Sequence, residues 1–277
     1  MNSHTLQQRL LINTFFTSLI RGFTYIITIP LFCIIYYLTK QGIAYLNIDF
    51  LTKMPAPIGE AGGGALNAIV GSLLIIALAA CIAIPIGILI GIYLAENKET
   101  KYSSIIRILI ETLQGVPSIV FGIVAYAWIV LPMGNFSGIA ASVSLALIML
   151  PMITKSTEET LLMLPSSLKE ASYALGATYY TTMIKVILPS GINGIMAGIL
   201  IGIARISGET APLLFTAFGN SFFSANMAQP INALPLLIYN YATSPYEEWI
   251  NIAWAASLFL IIFVLSLSLI SKAIRNT

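Results

Sequence analysis

Long apolar runs, each closed by a small cluster of charge, proline or glycine, set the pattern of this chain. The hydrocarbon core of a bilayer is about 30 Å thick, so a crossing helix takes about 20 residues at about 1.5 Å each. Gly22–Thr39 is long enough for a first span. Ala61–Ala95 opens on the flexible Gly62–Gly64 and holds a second span in its later part, 68–95. Thr112–Thr154 exceeds one crossing, and the turn signal "LPMGN" (Leu131–Asn135) divides it into spans over 112–132 and 137–154. A fifth span covers 186–208 and a sixth 249–271. Thr210–Tyr246 is uncharged but interrupted by Gly219, Pro230, Pro235 and Pro245. An ordered extracytoplasmic loop is expected there, with Ile231–Ala242 the segment best able to form an extra helix.

The pattern therefore predicts an all-α integral membrane protein with six transmembrane helices. Residues 1–66 form a tail, first helix and loop, 67–271 the main transmembrane domain, and 272–277 a second tail. Composition agrees: 58% of the 277 residues are hydrophobic and 9% charged, whereas soluble domains carry about 25% charged residues. The net charge of +2 points to no nucleic acid; membrane lipid is the partner that composition implies. Cys33 and Cys81 lie inside apolar runs and His4 is the single histidine, which leaves no zinc site to expect. Leu10–Ile20, closed by Arg21, lacks a cleavage signal and reads as a cytoplasmic or interfacial lead-in.

Charge fixes the expected orientation. With both termini in the cytoplasm, the inside segments hold Arg9, Arg21, Lys98, Lys101, Arg107, Lys155, Lys169, Lys185, Lys272 and Arg275, ten cations against Lys40 and Lys53 outside. Lys155–Lys185 is then a long cytoplasmic loop, in which Glu158 and Glu159 are expected to be solvated. A simple connector needs only a few residues. Pro165 ends what precedes it, Ser167 and Glu170 have capping-box spacing, and Leu168, Ala171 and Leu175 follow at helical intervals. Gly176 is the expected terminator of this short helix. Such a helix needs a packing partner, either its own protein or a groove on another subunit.

Two charges stand near the far end of the fifth span, Arg205 and Glu209 in "GIARISGETAPLLF". At i and i+4 they are expected to share a helix face. Counted from Pro189, Arg205 lies about 24 Å along the helix, in the outer half of the bilayer. An arginine facing lipid near a helix centre costs at least about 2.5 kcal/mol. One reading is an interfacial pair that pins the helix end; the other is a contact for an anionic solute, with Glu209 moderating its grip. Thr210 adds a hydroxyl, for the path or for a helix cap. Gln114 and Ser118 are weaker path candidates, since Gly115-Val116-Pro117 reads as a kinked start of the third span.

Glu170-Ala171-Ser172, Gly176 and Val186-Ile187-Leu188-Pro189 resemble, in residue type and spacing, the EAA loop of ABC-importer permeases. Ser172 replaces the second alanine of that pattern and Val186 its isoleucine. The resemblance implies a type I ABC-importer permease fold, with a coupling helix carried in a groove of an ATP-hydrolysing subunit. Glu170, Ala171, Gly176, Leu188 and Pro189 are the coupling residues it implies. "RISGETAPLLFTAFGN" (Arg205–Asn220), "GVPSIVFG" (Gly115–Gly122), "IAIPIGILIGIYLAE" (Ile82–Glu96) and "PLLIYNYA" (Pro235–Ala242) are similar to the A-type permease subunits of bacterial phosphate importers.

That second resemblance implies a multi-pass subunit of the bacterial inner membrane. Its expected partners are a companion C-type permease, an ATPase dimer, and a periplasmic or lipid-anchored phosphate-binding protein. It also implies Arg205, Glu209 and Thr210 for the phosphate path. No Gly-Lys pair exists in the chain, so ATP and magnesium are expected on the partner ATPase, with no cofactor and no catalysis here. The alternatives are a permease for another oxyanion (molybdate, sulfate or phosphonate) and an intramembrane enzyme acting on lipid phosphate. The enzyme leaves the EAA spacing unexplained, and two charges fall short of a catalytic set.

Overall fold

The computed structural model describes residues 3–57, 60 and 62–276, with side chains over 10–274 of these. The expected bounds at residues 1 and 277, Ala61, and the side chains of His4, Arg9 and Arg275 lie outside that description. Among the described residues all regular structure is helical, apart from an isolated parallel bridge between Phe218 and Ile231. In chain order the helices are α1 (Ser3–Gly42), α2 (Ile48–Thr52), α3 (Leu66–Glu96) and α4 (Lys101–Gly115). Next come α5 (Ser118–Met133), α6 (Gly138–Met163), α7 (Ser166–Ala174) and α8 (Tyr179–Ser190). The last four are α9 (Ile192–Ser207), α10 (Ala211–Thr216), α11 (Leu234–Ala242) and α12 (Glu247–Asn276).

Four helices, α1, α3, α6 and α12, are each long and apolar enough to cross a membrane. Two bent pairs raise the number to six: α4 with α5, bent by 102°, and α8 with α9, bent by 66°. The third expected span is corrected at its start. Residues 112–115 belong to amphipathic α4, and Pro117 sets the break before α5. The expected fifth span is likewise broken, at Gly191, so Val186–Pro189 lie in α8 and only α9 continues beyond the bend. In both pairs a proline follows a π turn: Tyr126–Val130 precedes Leu131-Pro132, and Met183–Ile187 precedes Leu188-Pro189. Proline removes an amide donor and crowds the carbonyl one turn back, and the wider π turn absorbs that defect within a continuing helix.

The core forms around α3 and α6, the most extensively packed pair. Glycines on α3 allow the approach; a Cβ on Gly91 would stand 2.6 Å from the Thr157 Cβ. Ile75, Ala79, Leu145, Met149 and Ile153 are buried between these helices and their neighbours. A second cluster joins α2, the start of α3, α11 and α12 through Phe50, Ala68, Leu237, Ile252 and Ala256. The stretch expected as a loop over 210–246 therefore holds two short helices. Buried Leu234, Leu236 and Leu237 turn the candidate segment Ile231–Ala242 into α11. Polar side chains of α3 clip this region down: Ser72 Oγ accepts the Leu234 amide at 2.7 Å, and Asn67 Nδ2 donates to the Asn220 carbonyl at 2.8 Å.

α1 packs on α12 only toward its C-terminal end, where the Tyr37 and Trp254 rings meet edge to face at 5.4 Å. Its most apolar window is otherwise bare. The bundle thus has two ends. One carries α7, the C-terminus of α3 and the far end of α6; the other carries α2, α10 and α11.

Candidate functional site

At the α7 end, Pro165 stands at the N-cap of α7 and makes no side-chain cap. The expected Ser167–Glu170 capping box does not form, because the helix begins at Ser166, two residues earlier than that box requires. Its C-terminus follows expectation. Gly176 takes φ +78°, the Gly176 amide donates to the Tyr173 carbonyl at 2.9 Å, and the Ala177 amide donates to the Ser172 carbonyl at 3.2 Å. These two bonds close a left-handed glycine stop.

Glu170, Ala171 and Leu175 are exposed, Leu175 at 89%. Ser172 faces inward, and its hydroxyl shares a 2.8 Å hydrogen bond with the buried Thr182 hydroxyl on α8. Lys169 forms an ion pair with Glu96, the last residue of α3. In α8, Leu188 is half-buried and Pro189 exposed, while neighbouring Ile187 is buried.

The expected cytoplasmic loop over 155–185 is largely helical, since α6 continues to Met163. Glu158 is accordingly not a solvated loop residue. It accepts from Arg107 Nε of α4 at 2.7 Å, while the same guanidinium donates to the Leu94 carbonyl at 3.0 Å and the Lys98 carbonyl at 2.9 Å. One planar cation thus closes the end of α3 and ties α4 to α6.

Arg205 is on the last turn of α9. The helix ends at Ser207, and Gly208 donates to the Arg205 carbonyl, so Glu209 does not share its helical face. Among the described residues Arg205 and Glu209 form no ion pair. Instead Arg205 Nη1 reaches the Met152 sulfur at 3.6 Å. Gly198 packs on Ser156 and Gly202 on Met149, so α9 and α6 run antiparallel here. A helical side chain leans toward its own N-terminus. The Arg205 charge is therefore level with the middle of α6, deeper than backbone arithmetic gave. Thr210 heads α10 without a side-chain cap, which removes the capping alternative for its hydroxyl.

Gln114, Ser118, Pro151 and Arg205 border a narrow cavity of about 10 Å³ at the α4–α5 break. Gln114 also borders an open groove of about 640 Å³, lined by Lys155, Ser156, Glu159, Thr160 and Gly198 toward the α7 end. The Gln114 carboxamide makes one long contact, 3.5 Å from its Nε2 to the Pro151 carbonyl. Sequence reasoning set Gln114 and Ser118 aside as a kinked helix start. The fold places both beside Arg205, and the signal was the proline break itself.

An all-helical bundle with two broken spans is the fold of ABC-importer permeases of type I. It superposes on a chain of the inward-facing MetNI methionine ABC transporter with a TM-score of 0.62 at 20% identity, covering 76% of this chain and 95% of that one. Residues 87–276 match the family described as binding-protein-dependent transport system inner membrane component. The chain belongs to that family. It is 41% identical over 261 residues to the phosphate transport system permease protein PstA of Haemophilus influenzae, covering 92% of each chain. It is also 36% identical over 260 residues to a probable phosphate transport system permease protein PstA of Methanocaldococcus jannaschii, covering 94% of this chain and 92% of that one.

Proposed function

We infer that this chain is a permease subunit of an ATP-driven phosphate importer and forms half of a path across a bacterial inner membrane. The observation that carries the reading is Arg205. In a chain so similar to phosphate permeases, its guanidinium lies mid-depth in the bundle with a thioether as its protein partner. Such a group has five N–H donors and always carries charge, which suits a tetrahedral oxyanion. Glu209 and Thr210, just beyond α9, flank the approach from the other end and keep the anion from being held permanently.

The ten-to-two cation bias puts the α7 end and both termini in the cytoplasm. There Glu170, Ala171 and the bare Leu175 offer the surface on which a separate ATPase docks, with ATP and magnesium bound by that subunit. A push on α7 passes to α8 through Ser172–Thr182, Leu188 and Pro189, and to α3 through Lys169–Glu96. Gly176 keeps the turn between α7 and α8 tight. A companion C-type permease supplies the other half of the path, and an extracytoplasmic phosphate-binding protein delivers the ion.

The test is uptake of labelled phosphate, at low external concentration, by cells lacking this chain. Wild type is expected to restore uptake and Arg205→Gln to leave it at the level of the deletion, with both present in the membrane. Equal restoration by the two chains removes Arg205 from the path. No restoration by an assembled wild type removes phosphate.

A further inference from the structure

The break between α4 and α5 creates something the arginine alone does not have. Val116-Pro117 turns the chain through 102°, which carries Gln114 at the end of α4 and Ser118 at the start of α5 to the cavity that Arg205 borders. All three belong to helix ends, and their side chains are not engaged elsewhere. Gln114 has its one long contact, Arg205 has the Met152 sulfur, and the Ser118 hydroxyl has no hydrogen-bond partner among the described residues. Polar groups in a membrane domain are costly unless they meet a partner or a solute. Three of them left open around one cavity fit a ligand that supplies the missing bonds.

We propose that Gln114 and Ser118 complete, with Arg205, a station for a partly protonated tetrahedral oxyanion. The chemistry of the three groups is complementary. Arginine only donates, whereas the carboxamide and the hydroxyl each donate and accept. Phosphate near neutral pH has oxygens that accept and at least one P–OH that donates, so the mixed set satisfies it completely. Fully deprotonated sulfate leaves the accepting atoms without a proton. In this conformation the station is shut, its cavity of about 10 Å³ being no larger than a single water needs. Gln114 is shared with the 640 Å³ groove, so movement of α4 against α9 opens the station toward the α7 end. Broken membrane helices commonly place such sites at their break.

This inference rests on the oxyanion-import reading, and the experiment separates the two. The assembled transporter, with its companion permease, ATPase and binding protein, is assayed for labelled phosphate uptake. Gln114→Glu keeps the side chain's shape but puts a carboxylate beside Arg205. It is expected to lower the maximal rate by about tenfold or more, the scale of one charge-assisted hydrogen bond lost. Ser118→Ala is expected to lower the rate and Ser118→Thr, which keeps the hydroxyl, to restore it. Wild-type rates in both Gln114→Glu and Ser118→Ala overturn the station while wild-type uptake leaves the import reading standing.

A second measurement does not depend on transport. In a chain with Cys33→Ala and Cys81→Ala, Ser118→Cys is labelled with an anionic thiol reagent. Added phosphate is expected to slow labelling, equimolar sulfate to slow it less, and Arg205→Gln to abolish the protection. Labelling indifferent to phosphate, when wild type transports it, overturns the station. If wild type instead imports another oxyanion, the phosphate reading fails, and protection by that ion decides the station alone.

Discussion

The Arg205 guanidinium lies 3.6 Å from the Met152 sulfur, level with the middle of α6, and Glu209 does not pair with it. A thioether is a weak acceptor and leaves the cation's other donors unused. The depth follows from two facts about helices: α9 ends at Ser207, and the arginine side chain leans back down its own helix. The charge is thus presented to the face shared by α6, α9 and the α4–α5 break.

Geometry beyond charge is expected to matter at Arg205. Arg205→Lys keeps the cation but loses the planar pair of donors, and uptake is expected to fall by about tenfold. Met152→Leu replaces the thioether with a branched hydrocarbon of similar volume and is expected to transport like wild type. Labelled phosphate uptake at matched membrane levels checks both.

The α3–α6 contact has no room to spare. A Cβ on Gly91 would stand 2.6 Å from the Thr157 Cβ and 2.8 Å from the Thr154 carbonyl. Gly91→Val is expected to cost at least about 1–3 kcal/mol, the range for overpacking. Gly22, within α1, has nothing within 4 Å of its Cβ position, so Gly22→Ala is expected to be neutral or to stabilise by up to about 1 kcal/mol. Thermal unfolding in detergent, followed by the loss of the monodisperse species, ranks the two.

The Ser172–Thr182 hydrogen bond is buried, and its two members do not behave alike when removed singly or together. Ser172→Ala leaves the Thr182 hydroxyl without its partner in a dry site and is expected to cost about 1–3 kcal/mol. Adding Thr182→Val removes the orphaned group as well and is expected to recover part of the loss. The same unfolding measurement on single and double variants gives the coupling. Additive losses would mean the hydroxyls do not act as a pair.

Lys169 and Glu96 link α7 to the end of α3 through a partly exposed ion pair. Pairs of this kind contribute at most about 1 kcal/mol to stability, so the effect is sought in coupling. Lys169→Glu is expected to lower phosphate taken up per ATP hydrolysed by the assembled transporter. The exchange Lys169→Glu with Glu96→Lys is expected to restore it. Failure of the exchange to restore the ratio would assign Lys169 to contact with the ATPase instead.

Much of the fold was legible because the bilayer imposes a length on apolar runs. The α3, α6 and α12 crossings follow from that length, and Gly176 follows from the backbone a helix stop requires. The α7 start was misread because Ser167 and Glu170 have capping spacing whatever Pro165 does. Helix α4 went unseen because Lys101, Arg107 and Glu111 suggest a solvated connector, although its apolar face packs on α6. Prolines and asparagines around Ile231–Ala242 favour a loop locally, and tertiary burial of Leu236 and Leu237 decides for helix α11 there.

The sequence by itself determined that the chain lives in a membrane, which end carries the cations, and that a short helix stops at Gly176. These are local properties: hydropathy, charge and backbone preference act over one or two helical turns. The tertiary structure alone decided that Arg205 meets Met152 instead of Glu209, that Glu158 serves Arg107, and that Gln114 and Ser118 share a cavity with the arginine. Those relations depend on how far α9 runs before Gly208 and how sharply Pro117 turns the chain. Helices distant in sequence then set the spacing between charges, and no local pattern encodes it.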